Sequence, residues 1–127
     1  MKLNEDNSFI TETKYDSDLD TLGIRITKPY EYKESVELAE GLILDFDVNG
    51  VPVALEMLNA SKRLNVPAYS LHNPVEINMR VDVKEDSISL KACFKLLIHQ
   101  RQQEETVSFS TDNQYGIQAM NTELAFA

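Results

Sequence analysis

Apolar and polar residues alternate over most of this chain, and the alternation changes face at recognisable turns. The clearest case is Gly41–Ser61. There Leu42, Leu44, Phe46 and Val48 lie opposite Val51, Val53, Leu55 and Met57 if Asn49-Gly50 forms a two-residue type I′ turn. The same register puts Ile43, Asp45 and Asp47 opposite Glu56, Ala54 and Pro52, so three carboxylates share the other face. On this reading Gly50→Val costs about 1 kcal/mol or more, because Gly50 must hold a positive φ.

Before this hairpin, strands are predicted at Ile10–Asp16, Thr21–Thr27 and Tyr32–Leu38, following a polar and loosely attached stretch at residues 1–9. After it, Asn59 or Ser61 is expected to cap a short helix running to Arg63 or Asn65. Pro67 and Asn73-Pro74 bracket a loop that forms the best internal boundary. Val75–Val83 and Ile88–Ile98 then alternate strictly around the Lys84-Glu85-Asp86 turn. Gln100–Glu105 reads as polar and Thr106–Phe109 as a weaker strand; residues 110–127 are open between helix and strand, with Ile117, Met120, Leu124 and Phe126 loosely helical in spacing.

The expected fold class is therefore mainly β (α+β): antiparallel sheets built from hairpins, with one short helix after the central hairpin. Residues 1–66 form one sheet-plus-helix unit and residues 67–127 a β-hairpin extension that shares its core. An isolated hairpin is marginal in water, so the apolar faces must cover each other or a second copy of the chain.

The 127 residues suffice for one domain. A net charge of −9, with acidic residues outnumbering basic ones in both halves, leaves too few Lys/Arg clusters to displace phosphate counterions. A nucleic-acid role is not expected. One cysteine, no secretory leader pattern and no long apolar run predict a cytoplasmic protein without a membrane segment.

Chemistry-bearing residues are few. Asp45-x-Asp47-x-Asn49-Gly50 with Glu56 fits an EF-hand loop at every defined position, but its flanks alternate with period two instead of forming helices. Asp45, Asp47 and Glu56 thus become a candidate site for weak Ca or Mg binding, and a solvated acidic sheet face is the plainer reading. No His, nucleophile or phosphate-binding loop joins them, so no catalytic residue and no other cofactor is assigned. His72 and His99 lack metal-ligand spacing and read as surface residues. Cys93 and Leu97 interrupt an otherwise polar strand face, which suggests a packed or oligomeric surface.

Tyr15-Asp16, Asp20, Leu22, Ile24, then Gly41, Ile43, Asp45, Asp47, Gly50, Glu56, Leu58, Ala60 and Ser61 follow the pattern Y-D-x-x-x-D-x-L-x-I … G-x-I-x-D-x-D-x-x-G-x5-E-x-L-x-A-S. Over residues 13–63 the chain resembles a widespread small prokaryotic family of unknown function. It departs at Gly23, where Tyr is usual, and at Ala54, where Gly is usual. The resemblance implies a compact antiparallel sheet with a helix. Some members are thought to be encoded beside small toxin-like proteins, which implies a partner-binding, antitoxin-like role. The leading expectation is a non-catalytic protein-binding module, with a small basic protein as the partner its acidic surface would suit. A structural homo-oligomer and a weak divalent-cation-binding domain are the alternatives.

Overall fold

A computed structural model describes residues 8–126. Nine strands form a single sheet: β1 (Ser8–Asp16), β2 (Thr21–Ile26), β3 (Tyr32–Ala39), β4 (Leu42–Asp47), β5 (Pro52–Met57), β6 (Glu76–Val83), β7 (Ser87–Ile98), β8 (Arg101–Asp112) and β9 (Met120–Phe126). Their spatial order is β3-β4-β5-β2-β1-β9-β6-β7-β8. The sheet curls until its two edges, β3 and β8, lie alongside each other. A short helix, α1 (Ala60–Leu64), and a 3-10 turn (Ala68–Leu71) connect the two runs of strands. Among the described residues no helix is long and apolar enough to cross a membrane.

The alternation dictates what lies inside the curl. Leu22, Leu42, Leu44, Phe46 and Met57 from the first run meet Met79, Val81, Ile88, Phe94 and Leu96 from the second in one buried cluster. Each inward row thus covers the other, which removes the exposed apolar face that a lone hairpin would leave.

The central hairpin keeps its expected register from Leu42↔Met57 to Asp45↔Ala54 and then departs from it. Phe46 pairs with Pro52, leaving Val53 as an extra residue in a bulge. The turn is not type I′. Gly50 donates its N–H to the Asp47 carbonyl at 3.0 Å, and of the two central residues only Gly50 takes a positive φ, 78°. This is a type I turn closed by a glycine bulge. The cause is Asp47: its Oδ1 accepts the N–H groups of Asn49 and Val51, both at 2.9 Å. Val48 consequently leaves the apolar row and is exposed. Gly50→Val is still expected to cost about 1 kcal/mol or more, measured by urea unfolding, because the left-handed φ persists.

Three further expectations are corrected and one open stretch is decided. The sheet is mixed: β1 and β9 pair in parallel, Ser8–Ile10 against Glu123–Ala125, and this short ladder joins the two runs. Residues 120–126, open between helix and strand in the sequence, form a strand, because β9 fits between β1 and β6 and pairs with β6 over seven residues. The polar Gln100–Glu105 stretch is mostly strand, since β8 follows β7 through twelve paired positions. Helix α1 is not capped by its own neighbours: Asn59 sits at its start in the left-handed region with no side-chain cap. Of the stretch expected to be loosely attached, Ser8 and Phe9 belong to β1, and residues 1–7 lie outside the described residues.

Two turn residues are unexpected. His99 and Gln100 both hold positive φ, 52° and 65°, so β7 and β8 are joined by the tight turn that the Asn49-Gly50 pair had suggested elsewhere. The His99 N–H donates to the Tyr69 hydroxyl at 3.0 Å, tying this strained turn to the 3-10 segment.

Candidate functional site: a tyrosine–aspartate–serine clasp and an outer trough

Tyr15, Asp20 and Ser61 are separated by up to 46 residues in sequence and meet at one end of the sheet. Asp16 starts the arrangement by accepting the N–H groups of Asp18 and Leu19, which folds the β1–β2 turn back on itself. Asp20 then takes a left-handed φ of 52°, a conformation Asp tolerates better than most residues. From there its Oδ1 accepts the Tyr15 hydroxyl at 2.6 Å and the Ser61 N–H at 3.0 Å. Its Oδ2 accepts the Ser61 hydroxyl at 2.8 Å, and its carbonyl accepts the Ala60 N–H at 2.9 Å. Asp20 therefore caps α1 from 40 residues upstream, supplying what Asn59 does not.

Burial pushes the Asp20 carboxyl up, but the hydrogen bonds from Tyr15 and Ser61 outweigh it and hold the group below its ordinary range. Burial, reinforced by the Asp20 hydrogen bond and charge, pushes the Tyr15 phenol up to about 12. The His72 ring meets Tyr15 edge-on with centroids 5.0 Å apart. A carboxylate of lowered pKa is a poor general base for Ser61, and a phenol near 12 is a poor acid or nucleophile at neutral pH. The geometry is that of a structural clasp.

A second set of contacts locks the other side of α1. The Leu58 N–H donates to the Gly41 carbonyl at 2.8 Å, and Arg63 donates to the Glu40 carbonyl while its guanidinium lies 5.9 Å from the Phe109 ring. Gly41 has a φ of 78°, and a Cβ there would meet Arg63 Nη2 at 3.1 Å and Leu58 Cβ at 3.3 Å. A side chain at this turn would crowd Leu58 and the Arg63 guanidinium and would be strained at this φ.

The sequence-predicted cation residues are divided by the fold. Asp45 and Glu56 line an open trough of about 560 Å³ on the outer sheet face, with Asp45 also accepting the Ser35 hydroxyl at 2.7 Å. Asp47 lies at the hairpin end, its Oδ1 engaged by the loop's backbone. Among the described residues no group of three or more His, Cys, Asp and Glu side chains is placed to hold a metal ion. Cys93 is half-buried on β7, and His99 lies in the β7–β8 turn.

The clasp was not singled out as a site from sequence, although all three residues belong to the Y-D-x-x-x-D…A-S pattern. Their fixed spacing was the available signal.

Comparison with solved structures finds no match. A Methanosarcina mazei protein with the provisional name hypoxanthine phosphoribosyltransferase is 31% identical over 83 residues, covering 65% of this chain and 66% of that protein, just short of two thirds of its length. Residues 12–61, which carry Tyr15, Asp20, Gly41, Gly50 and Ser61, match the model of the family described as protein of unknown function (DUF2283), and this stretch is a small domain of unknown function.

Proposed function

We propose that the protein is a non-catalytic protein-binding module. The observation that carries this reading is a cleft of about 330 Å³ at the end of the sheet, lined by Tyr69, Ser70, Asn73, Leu97, His99 and Gln100. Tyr69 is 52% exposed and Leu97 49% exposed, an aromatic and an aliphatic side chain side by side beneath a strained turn. Aromatic residues in such settings anchor partners, since they bury large area at low entropic cost. The acidic surface favours a basic partner by steering its approach, as an antitoxin-like role would require.

The relative's provisional name does not supply a better reading. Phosphoribosyl transfer needs backbone N–H groups free to cradle a diphosphate. In the central hairpin loop the Asn49, Gly50 and Val51 N–H groups are already bonded to Asp47.

The test is affinity capture from native cells with wild-type and Leu97→Glu protein. A stoichiometric basic partner should be recovered with wild type and lost with the variant. The variant's unfolding midpoint should stay near wild type, because substitutions at such exposed sites fall within about 0.5 kcal/mol. Retention of the partner by Leu97→Glu would move the contact elsewhere, and recovery of the chain alone would favour the homo-oligomer.

A further inference from the structure

The outer trough is lined by charges of both signs on neighbouring strands. Two rows of outward-facing residues cross it. In the first, Lys14 on β1 is followed by Gly23 on β2 and Glu56 on β5. In the second, Arg25 on β2 is followed by Ala54 on β5 and Asp45 on β4. The first row reads cation, small residue, anion, and the second carries the same order after Glu12 on β1, which pairs with Arg25; in each, cation and anion across the small residue are two strand spacings apart, about 9.5 Å.

The small residues make the floor. A Cβ placed on Gly23 would have only the Lys14 carbonyl within 4 Å, at 3.7 Å, so the space above the strand is open. The half-buried Tyr30 also lines the trough. Two of these charges are already engaged. Glu12 occupies Arg25 through a bond of 3.0 Å, and the Ser35 hydroxyl engages one oxygen of Asp45. Among the described residues neither Lys14 nor Glu56 makes an ion pair, so one cation and one anion face each other across Gly23 with their charges unspent.

We propose that this trough binds a small zwitterion of the α-amino-acid type with an apolar side chain. The carboxylate lies toward Lys14, the ammonium toward Glu56 and the second oxygen of Asp45, and the side chain lies over Ala54 beside Tyr30. A ligand carrying both charges on one carbon matches Lys14 and Glu56 at once, whereas a singly charged ligand matches one of them and is repelled by the other. The trough is open to solvent, so water competes and affinity is in the range of about 1 mM.

The experiment follows Gly23 and Ala54 backbone amides by NMR on the full chain. The probes are L-phenylalanine, 3-phenylpropanoate (no ammonium) and phenethylamine (no carboxylate). Saturable shifts at these amides are expected with L-phenylalanine, and binding about tenfold weaker, or about 1.4 kcal/mol, with either analogue. Lys14→Met and Glu56→Gln alter exposed side chains and should each weaken L-phenylalanine about tenfold, with the remaining spectrum unchanged. The proposal is overturned by absence of shifts at about 10 mM ligand, by equal affinity for the analogues, or by affinity unaltered in both variants. Leu97 lies outside the trough, so failure here leaves the protein-binding reading standing.

Discussion

Asp20→Ala is expected to destabilise the protein by about 3 kcal/mol, lowering its melting temperature by roughly 10 °C for a chain of this size. Three contributions add. The variant loses a charged acceptor shared by the Tyr15 hydroxyl, the Ser61 N–H and the Ser61 hydroxyl. It leaves the start of α1 without a cap. It also places a Cβ with no compensating local bond in the left-handed region. Asp20→Asn, which tolerates that region, should recover part of the loss and so separate backbone strain from the carboxylate's bonds.

The pH dependence gives an independent check. The folded Asp20 pKa lies below its ordinary value of 3.8, so its contribution is complete above that value and is lost as pH falls through the lowered folded pKa. The folded Tyr15 pKa is raised to about 12 from 10.0, so its contribution is complete below pH 10.0 and is lost between there and about 12. Urea unfolding across both ranges should show an alkaline limb that disappears in Tyr15→Phe and an acid limb reduced in Asp20→Asn. Equal profiles for wild type and variants would show that the clasp contributes nothing to stability.

Phe94→Ala should cost about 3–5 kcal/mol, the range for emptying an aromatic site in a core that cannot collapse around it. Phe94 is fully buried on β7 and belongs to the same cluster as the equally buried Phe46 on β4. The loss should therefore be shared by the whole chain. Hydrogen exchange of amides on β4 and β5 should accelerate together with those on β6 and β7, in a single cooperative transition. If β4 and β5 kept wild-type protection while β6 and β7 lost theirs, residues 67–127 would be a separately stable unit, and the shared-core view would fail.

Much of this architecture could be read from period-two alternation alone. β2, β4, β5, β6 and β7 lie close to where their apolar rows predicted, because each has one face in the core and the other in water. The strands that escaped are those for which that contrast breaks down. At its start β8 is solvent-exposed on both faces, so Arg101–Glu105 carries no apolar signal. In β9 the inward row is Met120, Thr122, Leu124 and Phe126, and a buried threonine among them disguised the period. The turn types misled for a related reason: a single side chain, Asp47, redirected Asn49-Gly50, while packing against Tyr69 supported positive φ at His99.

The clasp and the trough show the same division. Sequence spacing placed Tyr15, Asp20 and Ser61 in one long pattern without joining them, and placed Asp45, Asp47 and Glu56 as carboxylates on one hairpin face. It also determined, by itself, a β-rich acidic chain whose central hairpin and apolar rows must be covered. Only the tertiary structure decided that Asp20 caps a helix 40 residues away, that Asp47 is held by its own loop, and that Glu56 faces Lys14 across a glycine floor. It also decided that the first and last strands pair in parallel. Alternation is a local property of the backbone, whereas the partners of an edge, a carboxylate or a chain end are set by which distant segments the common core brings together.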